Sequence, residues 1–533
     1  MATPSITRPD LFRPPLDYPR MPYDRLLTDT AGRTPENVAV VSGDVSLTFR
    51  ELEALTNRFA RALARLGVRH GDRVCLLTPN CPEYVVAFYA VARVGAVVSP
   101  MNPSYREREI EYQLRDTEAV ALVAHRSLLP LVEAVRPRAP ALAHVIAIGD
   151  ADAGTANVHG FAALIAAESP APPSAAGVGQ DDLVALPYSS GTTGLPKGVM
   201  LTHRNLVTNN VQFVATVRLR AVDRLMLFLP LYHIYGAMLM GGAVLAGAAC
   251  VLMERFEAGA CLQLVERHRV TCFFAVPPVL LVLADWPRLR EHDFSSVRFT
   301  LVGAAPVPPE LSRRFGALTG APVLQGYGMT EASPITHLNP VHDPSLIALD
   351  SAGLPVHDTE QKVVDLETGE RTLAPGEVGE ICIRGPQIMQ GYWRAPEATA
   401  AALRDGWYHS GDIGYVDERG YVVIQDRKKE MIKYKGLGIA PAEIEALLLE
   451  HPAIADAAVI GVPHPEAGEV PKAFVVRRAG HAALDADAVA GFVRDRLAAY
   501  KTPGVVEFLE AIPRTPSGKI LRRVLKERER PAS

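Results

Sequence analysis

The hydrophobic pattern in the first part of the chain switches between helical spacing and short, continuous apolar runs. After Thr48 the apolar residues repeat at helical spacing, and Glu51 lies three residues later, which predicts an amphipathic helix that begins with a capping box. Largely apolar runs at residues 73–77 and 119–123 are typical of buried strands, and a helix is predicted around residues 84–94. Strands and helices that alternate at this spacing predict a mostly parallel sheet covered by helices.

Residues 225–253 carry no Asp, Glu, Lys or Arg, a length that alone would suggest a membrane-spanning helix. However, Pro230, His233 and several glycines interrupt this segment. It is therefore predicted to divide into a strand at 225–229, a loop, a buried helix and a second strand at 249–253. No integral membrane span is expected.

The pattern changes in the second half of the chain. From residue 361 short alternating strands with Gly and Pro turns predict a distorted β-barrel, and after residues 426–430 the chain restarts as a smaller α+β unit. The predicted fold is α/β, with a large N-terminal domain at residues 1–425 made of helix-covered, mostly parallel sheets plus the distorted β-barrel. A hinge at 426–430 and a small α+β C-terminal domain at 431–533 follow it.

Length and composition exclude several classes of protein. The chain of 533 residues is too long for one core, and with 48% hydrophobic and 21% charged residues it is globular rather than disordered. A net charge of −4 gives no reason to expect a nucleic-acid partner. The six cysteines form no C-x-x-C pair, which fits a reducing compartment.

The two termini carry no recognisable targeting signal. The first residues lack an apolar segment and the last three, Pro-Ala-Ser, are not a peroxisomal address, so a cytoplasmic protein is expected. The proline-rich residues 1–35 are expected to form an arm over the body without visible chemistry.

Residues 188–198, Tyr-Ser-Ser-Gly-Thr-Thr-Gly-Leu-Pro-Lys-Gly, are the most informative stretch of the chain. Glycines among hydroxyl residues let backbone N–H and side-chain O–H groups point inward, as phosphate oxygens require, and Lys197 adds a positive charge. The spacing differs from the Walker pattern, and no Ser or Thr follows the lysine to hold magnesium, which disfavours a P-loop NTPase. A surface linker is the alternative by composition, but the lysine and the flanking apolar runs argue against it. The predicted phosphate loop consists of Ser189, Ser190, Gly191, Thr192, Thr193, Gly194 and Lys197.

This stretch resembles the signature of the AMP-forming adenylating enzymes, a superfamily that includes acyl-CoA synthetases, coumarate:CoA ligases, peptide-synthetase adenylation domains and luciferases. Further matches follow in the family's order along nearly the whole chain. Members activate a carboxylate with ATP as an acyl-adenylate, release pyrophosphate and usually pass the acyl group to a thiol. The resemblance implies that the loop holds the β- and γ-phosphates of ATP.

Two later segments match the family's AMP site. Residues 297–306 predict a strand that ends in a turn of small residues, which admits a flat ring, and residues 323–332 give the second strongest signal. By resemblance, Thr330 bonds the α-phosphate and Glu331 binds Mg²⁺, which suits a hard cation. The other implied AMP contacts are Gly303, Ala304 and Ala305 beside the adenine, Gln325 at its amino edge, Gly326 and Tyr327 against its face, and Asp412 and Arg427 at the ribose hydroxyls.

The remaining catalytic candidates are His233, Lys433 and Lys519. A lone histidine is often structural, but the matching family segment places it beside the carboxylate that is activated. Lys519 could be one more residue of a basic tail, whereas the family lysine at this position bridges the carboxylate and the α-phosphate. If residues 233–235 are extended, Tyr235 points the same way as His233. The candidate acyl pocket consists of Tyr235, Gly236, Met238, Gly303, Gly328, Pro334 and Ile335.

The resemblance also implies that the small domain is mobile. Lys429 matches the family's hinge, and Gly436 matches the glycine that lines the pantetheine tunnel of coenzyme A after the domain has turned. Gly438 departs from the pattern, since coumarate:CoA ligases and luciferases usually carry Gln there.

The predicted function is an ATP- and Mg²⁺-dependent acid:CoA ligase that acts on a fatty or an aryl, cinnamate-like acid, as a monomer or homodimer. An adenylating enzyme that loads a separate carrier protein is one alternative. A non-catalytic acyl-nucleotide sensor is another, and the joint presence of Glu331, Asp412, Arg427 and Lys519 disfavours it.

Overall fold

The computed structural model describes residues 13–149, 158–174, 177–189, 196–428, 430–434, 437–464, 467–515 and 518–529. The strands, in chain order, are β1 (Val38–Ser42), β2 (Val45–Thr48), β3 (Arg73–Leu77), β4 (Val97–Pro100), β5 (Ala121–His125), β6 (His144–Ile148), β7 (Val158–Gly160), β8 (Leu183–Ala185), β9 (Tyr188–Ser189), β10 (Lys197–Thr202), β11 (Arg224–Leu227), β12 (Ala249–Leu252), β13 (Cys272–Ala275), β14 (Phe299–Val302), β15 (Val323–Gly328), β16 (Ile335–Leu338), β17 (Leu354–Pro355), β18 (Glu360–Val364), β19 (Gly379–Arg384), β20 (Gly391–Tyr392), β21 (Leu403–Arg404), β22 (Trp407–Val416), β23 (Val422–Arg427), β24 (Ile432–Tyr434), β25 (Leu437–Ile439), β26 (Ile454–His464), β27 (Gly468–Arg477) and β28 (Val505–Phe508).

The helices alternate with these strands over most of the chain. They are α1 (Arg25–Arg33), α2 (Phe49–Arg65), α3 (Pro82–Arg93), α4 (Glu107–Thr117), α5 (Leu129–Val135), α6 (Phe161–Ala166), α7 (His203–Val217), α8 (Ile234–Ala246), α9 (Ala258–Arg267), α10 (Pro277–Ala284), α11 (Pro309–Thr319), α12 (Pro396–Ala402), α13 (Pro441–Leu449), α14 (Ala486–Arg494) and α15 (Arg522–Arg528).

Two large sheets form the body of the protein. The first has the order β17-β16-β15-β14-β13-β11-β12-β1-β2, and the second has the order β20-β10-β8-β4-β3-β5-β6-β7 with β9 beside β10. In each sheet five strand pairings are parallel and three are antiparallel, among the described residues. The prediction of mostly parallel sheets covered by helices is confirmed.

The local predictions also agree with the structure. Helix α2 begins after Thr48, whose hydroxyl accepts the Glu51 N–H, while the Glu51 carboxylate accepts the Thr48 N–H at 2.8 Å. The apolar segment 225–253 divides into β11, α8 and β12, with α8 packed in the main core. No helix of the described ranges is long and apolar enough to cross a membrane.

The N-terminal arm inserts one charged side chain into the body. The Arg13 guanidinium donates to the carbonyl oxygens of Leu338 at 2.7 Å, Leu354 at 3.0 Å and Pro355 at 2.7 Å, and burial lowers its pKa to about 10. Arg13 therefore links β16 and β17 at the antiparallel edge of the first sheet. Strand β16 in turn pairs with β15, which carries the predicted adenine contacts.

The last part of the chain builds two smaller sheets. The strands predicted to form the barrel-like unit make an antiparallel sheet in the order β18-β19-β22-β21, with β23 also on β22. The final sheet has the order β25-β24-β27-β26, with β28 parallel to β27, and its core of residues such as Ile432, Ile444 and Val475 is separate from the main core. The predicted hinge residue Lys429 lies outside the described residues. The proposed division at 426–430 therefore stays a prediction.

Candidate active site

His233 lies at the start of a buried helix rather than in an extended loop. It caps α8, with its Nδ1 accepting the N–H of Tyr235 at 3.2 Å. Burial lowers the pKa of His233 to about 3, and the positive charge of Lys519 acts in the same direction. The imidazole is therefore neutral near pH 7 and, with Nδ1 used as an acceptor, carries its proton on Nε2.

The predicted direction of Tyr235 is wrong because residues 234–246 are helical. Side chains two apart on a helix do not face the same way, in contrast to those of a strand. The Tyr235 ring instead covers the turn after β14: a Cβ added to Gly303 would lie 3.3 Å from Tyr235 Cε1, and the hydroxyl donates to the Leu301 carbonyl at 3.4 Å. Tyr235 thus separates the helix from the small-residue turn.

At two other candidate pocket positions, Gly236 and Gly328, the backbone lies very close to a carbonyl oxygen of a neighbouring segment. A Cβ on Gly236 would overlap the Pro230 carbonyl oxygen, and a Cβ on Gly328 would overlap that of Pro334, so both positions require glycine. Met238 and Ile335 are buried apolar residues of the same core.

The predicted ribose contacts converge on one carboxylate. Asp412 on β22 pairs with Arg427 on β23, and its Oδ1 accepts from Arg427 Nε at 2.8 Å. The Tyr327 hydroxyl donates to Asp412 Oδ2 at 2.6 Å, and burial together with the charge of Asp412 raises the pKa of Tyr327 well above its usual value. Each carboxylate oxygen keeps a further lone pair, which is what a bidentate acceptor of two hydroxyls needs.

Gln325 is held by the loop after β14. Its amide nitrogen donates to the carbonyl oxygens of Val307 and Leu349, and its Oε1 accepts the Val307 N–H at 3.2 Å. Both amide protons are therefore in use, and the contact with the adenine edge stays a prediction.

In the turn after β14, Ala304 has a φ of 72°, a left-handed conformation that costs a non-glycine residue about 1–2 kcal/mol. Ala305 follows in the same turn, and Gly326 lies within β15.

Glu331 and Lys197 both contact Tyr392, a residue that no sequence motif predicted. Glu331 is buried, and its Oε1 accepts the Tyr392 hydroxyl at 2.9 Å. Lys197 Nζ lies 5.4 Å from the centroid of the same tyrosine ring. Thr330 begins the short 3₁₀ turn that carries Glu331.

The structure allows Glu331 to hold a hard cation together with a substrate. Magnesium in such sites is usually bound by one or two carboxylates plus phosphate oxygens. No ion pair joins Glu331 to another described residue, and no cluster of three or more His, Cys, Asp or Glu side chains suitable for a metal occurs within the described ranges. A single buried carboxylate therefore fits this mode of binding.

Lys519 comes to this site from the loop before α15. Burial lowers the pKa of Lys519, and Arg427 adds to this effect, whereas the carboxylates of Asp412 and Glu331 oppose it. The preceding Gly518 lies against the large sheets, because a Cβ there would be 3.3 Å from both Val276 Cγ2 and Pro278 Cδ. The backbone N–H of Lys519 donates to Thr515 Oγ1 at 3.0 Å.

The structure does not bring Lys433 to this buried cluster, whereas Ser189 is paired with Lys197. Lys433 is exposed on β24, and its backbone N–H donates to Glu469 Oε2 at 2.8 Å. Ser189 lies on β9, opposite Lys197. The predicted residues that lie outside the described ranges are Ser190, Gly191, Thr192, Thr193, Gly194, Lys429 and Gly436.

A second unpredicted contact anchors the start of the phosphate loop. Asp116, at the end of α4, accepts a hydrogen bond from the Tyr188 hydroxyl, and its carbonyl accepts from Trp393 Nε1 at 3.0 Å. Asp116 lies 72 residues from Tyr188, and Tyr392 lies 61 residues from Glu331, so no local sequence pattern pointed to either contact.

Two protein families match consecutive parts of the chain. The family described as AMP-binding enzyme matches residues 27–393, and that described as AMP-binding enzyme C-terminal domain matches residues 443–519. The chain belongs to the AMP-binding enzyme family. The predictions of this superfamily and of its α/β fold are confirmed.

Its relatives include plant and bacterial ligases. The chain is 43% identical over 491 residues to 4-coumarate–CoA ligase 5 of Oryza sativa subsp. japonica, covering 90% of this chain and 89% of the relative. It is 37% identical over 530 residues to a long-chain-fatty-acid–CoA ligase of Bacillus subtilis, covering 95% and 94%. The crystal structure of the anthranilate CoA ligase AuaEII with anthranoyl-AMP superposes with a TM-score of 0.89, at 30% identity over 96% of this chain and 98% of that one. These relatives confirm the predicted class of enzyme, an AMP-forming acid:thiol ligase.

The neutral state of His233 predicts a defined dependence of stability on pH. Its pKa in the folded protein is about 3 against 6.5 for an ordinary histidine, so its contribution is present above pH 6.5 and is lost as pH falls from 6.5 towards 3. The loss amounts to about 1.4 kcal/mol per pH unit. We expect His233→Asn, which keeps a capping side chain, to show a smaller fall in unfolding midpoint between pH 7.5 and pH 5 than the unsubstituted protein. Parallel falls in both proteins would contradict a neutral, buried His233.

Proposed function

We propose that the protein is an ATP-dependent acid:CoA ligase, which forms an acyl-adenylate with release of pyrophosphate and then an acyl-CoA thioester. The observation that carries the proposal is that the charge of Lys519, in the loop before α15, acts together with those of Asp412 and Glu331 in one buried cluster. The relatives named CoA ligases support coenzyme A as the thiol.

In the first step two anions, a carboxylate and a triphosphate, must meet, and their repulsion is the main obstacle. A carboxylate oxygen bonds to the α-phosphorus while the bond from that phosphorus to the bridging oxygen breaks, and pyrophosphate leaves. The protein needs no side-chain nucleophile for this displacement. Its contribution is to hold the reactants in line and to offset their charge with preorganised groups.

The residues of the cluster divide this task. Lys519 supplies a cation between the carboxylate and the α-phosphate, and Thr330 offers a hydroxyl donor to the same phosphate. His233, neutral and with its proton on Nε2, offers a hydrogen bond without a second positive charge. Glu331 would hold Mg²⁺, which when bound supplies positive charge to the triphosphate oxygens. Lys197 offsets the charge of the leaving pyrophosphate.

The second step transfers the acyl group from AMP to the thiol of coenzyme A. The thiolate of coenzyme A bonds to the acyl carbonyl carbon, the bond from that carbon to the phosphate oxygen breaks, and AMP leaves. We assign the necessary movement of the C-terminal part to the segment around Lys429, and the tunnel for the thiol to Gly436.

The acid is proposed to have an uncharged body, either aryl and cinnamate-like or a medium to long fatty chain. The candidate pocket supports this because it has no charged residue: Tyr235, Met238 and Ile335 are apolar or aromatic, and the glycines at 236 and 328 leave no side chain. The ring of Tyr235 beside Gly303 limits the space next to the adenine turn.

A panel of acids tests this proposal directly. We expect acid-dependent exchange of pyrophosphate into ATP with at least one aryl or fatty acid, and a thioester when coenzyme A is added. Exchange without any use of coenzyme A would favour the loading of a separate carrier protein. No exchange with any acid, under conditions in which ATP binds, would favour the non-catalytic sensor and overturn the proposal.

Lys519→Ala separates the two steps. Removal of one preorganised charge-stabilising donor costs about two to three orders of magnitude in rate, or about 3–4 kcal/mol. We therefore expect quenched-flow assays to show this loss in acyl-adenylate formation, while the variant still converts supplied acyl-adenylate to acyl-CoA.

The exposed Lys526 on α15 provides the matched control, and Lys526→Ala should change neither rate. An equal loss of both steps in Lys519→Ala would show that its role is not confined to adenylation.

A further inference from the structure

Tyr392 contacts two residues to which the proposed function gives separate roles at the triphosphate. Its hydroxyl donates to Glu331 Oε1 at 2.9 Å, and the face of its ring lies 5.4 Å from Lys197 Nζ. A cation over an aromatic face is attracted by the ring quadrupole, so both contacts are favourable in this geometry. One side chain therefore bridges the carboxylate proposed to hold magnesium and the lysine proposed to hold phosphate.

The backbone around Tyr392 makes the same connection. Strand β20 pairs with β10, so that Tyr392 lies opposite Val199. The N–H of Trp393 donates to the Gly198 carbonyl at 2.8 Å, and the N–H of Met389 donates to the Glu331 carbonyl at 2.8 Å. A short segment is thus hydrogen-bonded both to the strand that leaves the phosphate loop and to the turn that carries Glu331.

Helix α12 holds this segment from the other side. Thr399 Oγ1 accepts the N–H of Tyr392 at 2.9 Å, and a Cβ on Gly391 would lie 2.7 Å from Thr399 Cγ2. The close approach at Gly391 leaves the strand little room to shift along α12. The tyrosine side chain is therefore fixed in position by packing as well as by its own contacts.

The chemistry of the phenol suits an orienting role. The Tyr392 hydroxyl lies 2.9 Å from Glu331 Oε1, and because an ionised carboxylate can only accept, the hydroxyl is the donor. It occupies one oxygen of the Glu331 carboxylate. No described group donates to the second oxygen, which is left for a cation.

We propose that Tyr392 is a positioning residue that aims the Glu331 carboxylate through its hydroxyl and holds the Lys197 ammonium through its ring. The proposal rests on the proposed function, because it assigns Glu331 and Lys197 to one bound MgATP. The hydroxyl contact and the ring contact of Tyr392 can be removed separately by substitution. The hydroxyl acts on the magnesium dependence of ATP binding, and the ring acts on ATP binding with or without the metal.

Calorimetric titration of ATP without acid or coenzyme A tests this division. Tyr392→Phe keeps the ring, so its affinity for ATP in EDTA should equal that of the unsubstituted protein. The Mg²⁺ concentration that gives half of the gain in ATP affinity should rise about tenfold, the lower end of what the loss of a partner that orients a metal ligand costs. Tyr392→Leu should show this rise and also weaker binding of ATP in EDTA.

Two comparisons guard against a merely structural effect. Tyr421→Phe removes another buried hydroxyl, one that donates to the Leu346 carbonyl at 2.7 Å, and should leave both affinities unchanged. In a Glu331→Ala background, Tyr392→Phe should cause no further change in magnesium dependence, because the group on which it acts is gone.

The outcomes distinguish this proposal from the proposed function. An unchanged magnesium dependence in Tyr392→Phe, or an equal loss of ATP affinity with and without the metal, overturns the role of Tyr392. An unsubstituted protein that binds no ATP would instead count against the proposed function.

Discussion

Lys519 carries its charge from the loop before α15, in the C-terminal part of the chain, into a site that the large sheets build, and the proposed chemistry depends on this placement. A buried ammonium loses hydration, which lowers the pKa of Lys519, and Arg427 lowers it further. Asp412 and Glu331 oppose both effects. The neighbouring Gly518 packs against Val276 and Pro278, so the proposed movement of the C-terminal part would withdraw this cation from the cluster.

The large sheets supply rigid positions for the remaining groups. His233 follows β11, Gly303 follows β14 and Tyr327 lies near the end of β15, and these strands run parallel within one sheet. The carboxyl ends of parallel strands meet at one edge, which is where open α/β sheets bind ligands. The antiparallel sheet of β18, β19, β21, β22 and β23 then adds Asp412 and Arg427, and the edge strand β20 of the second large sheet adds Tyr392.

The fold and the motif residues were predictable because their signals are local. The capping box at Thr48 and the division of segment 225–253 depend on neighbouring residues alone, and the nucleotide contacts came from motifs that resemble a family. Tyr235 was misjudged because histidine is not a common helix cap, so nothing marked the start of α8 at Ile234. Arg13 and Tyr392 were missed because their contacts join residues far apart in the chain, as Arg13 and Leu338 do, and only the folded sheets bring them together.

In the proposed mechanism, the docked arrangement of the C-terminal part is the one that serves adenylation. Arg478 and Asp285 face each other across the two parts, with an N···O distance of 3.1 Å, which marks positions for a short, cleavable cross-link between introduced cysteines. We expect the cross-linked protein to form one equivalent of acyl-adenylate but to make no thioester until the link is cleaved, while each single-cysteine variant performs both steps. Thioester formation at an undiminished rate in the linked protein, or loss of adenylation on linking, would contradict it.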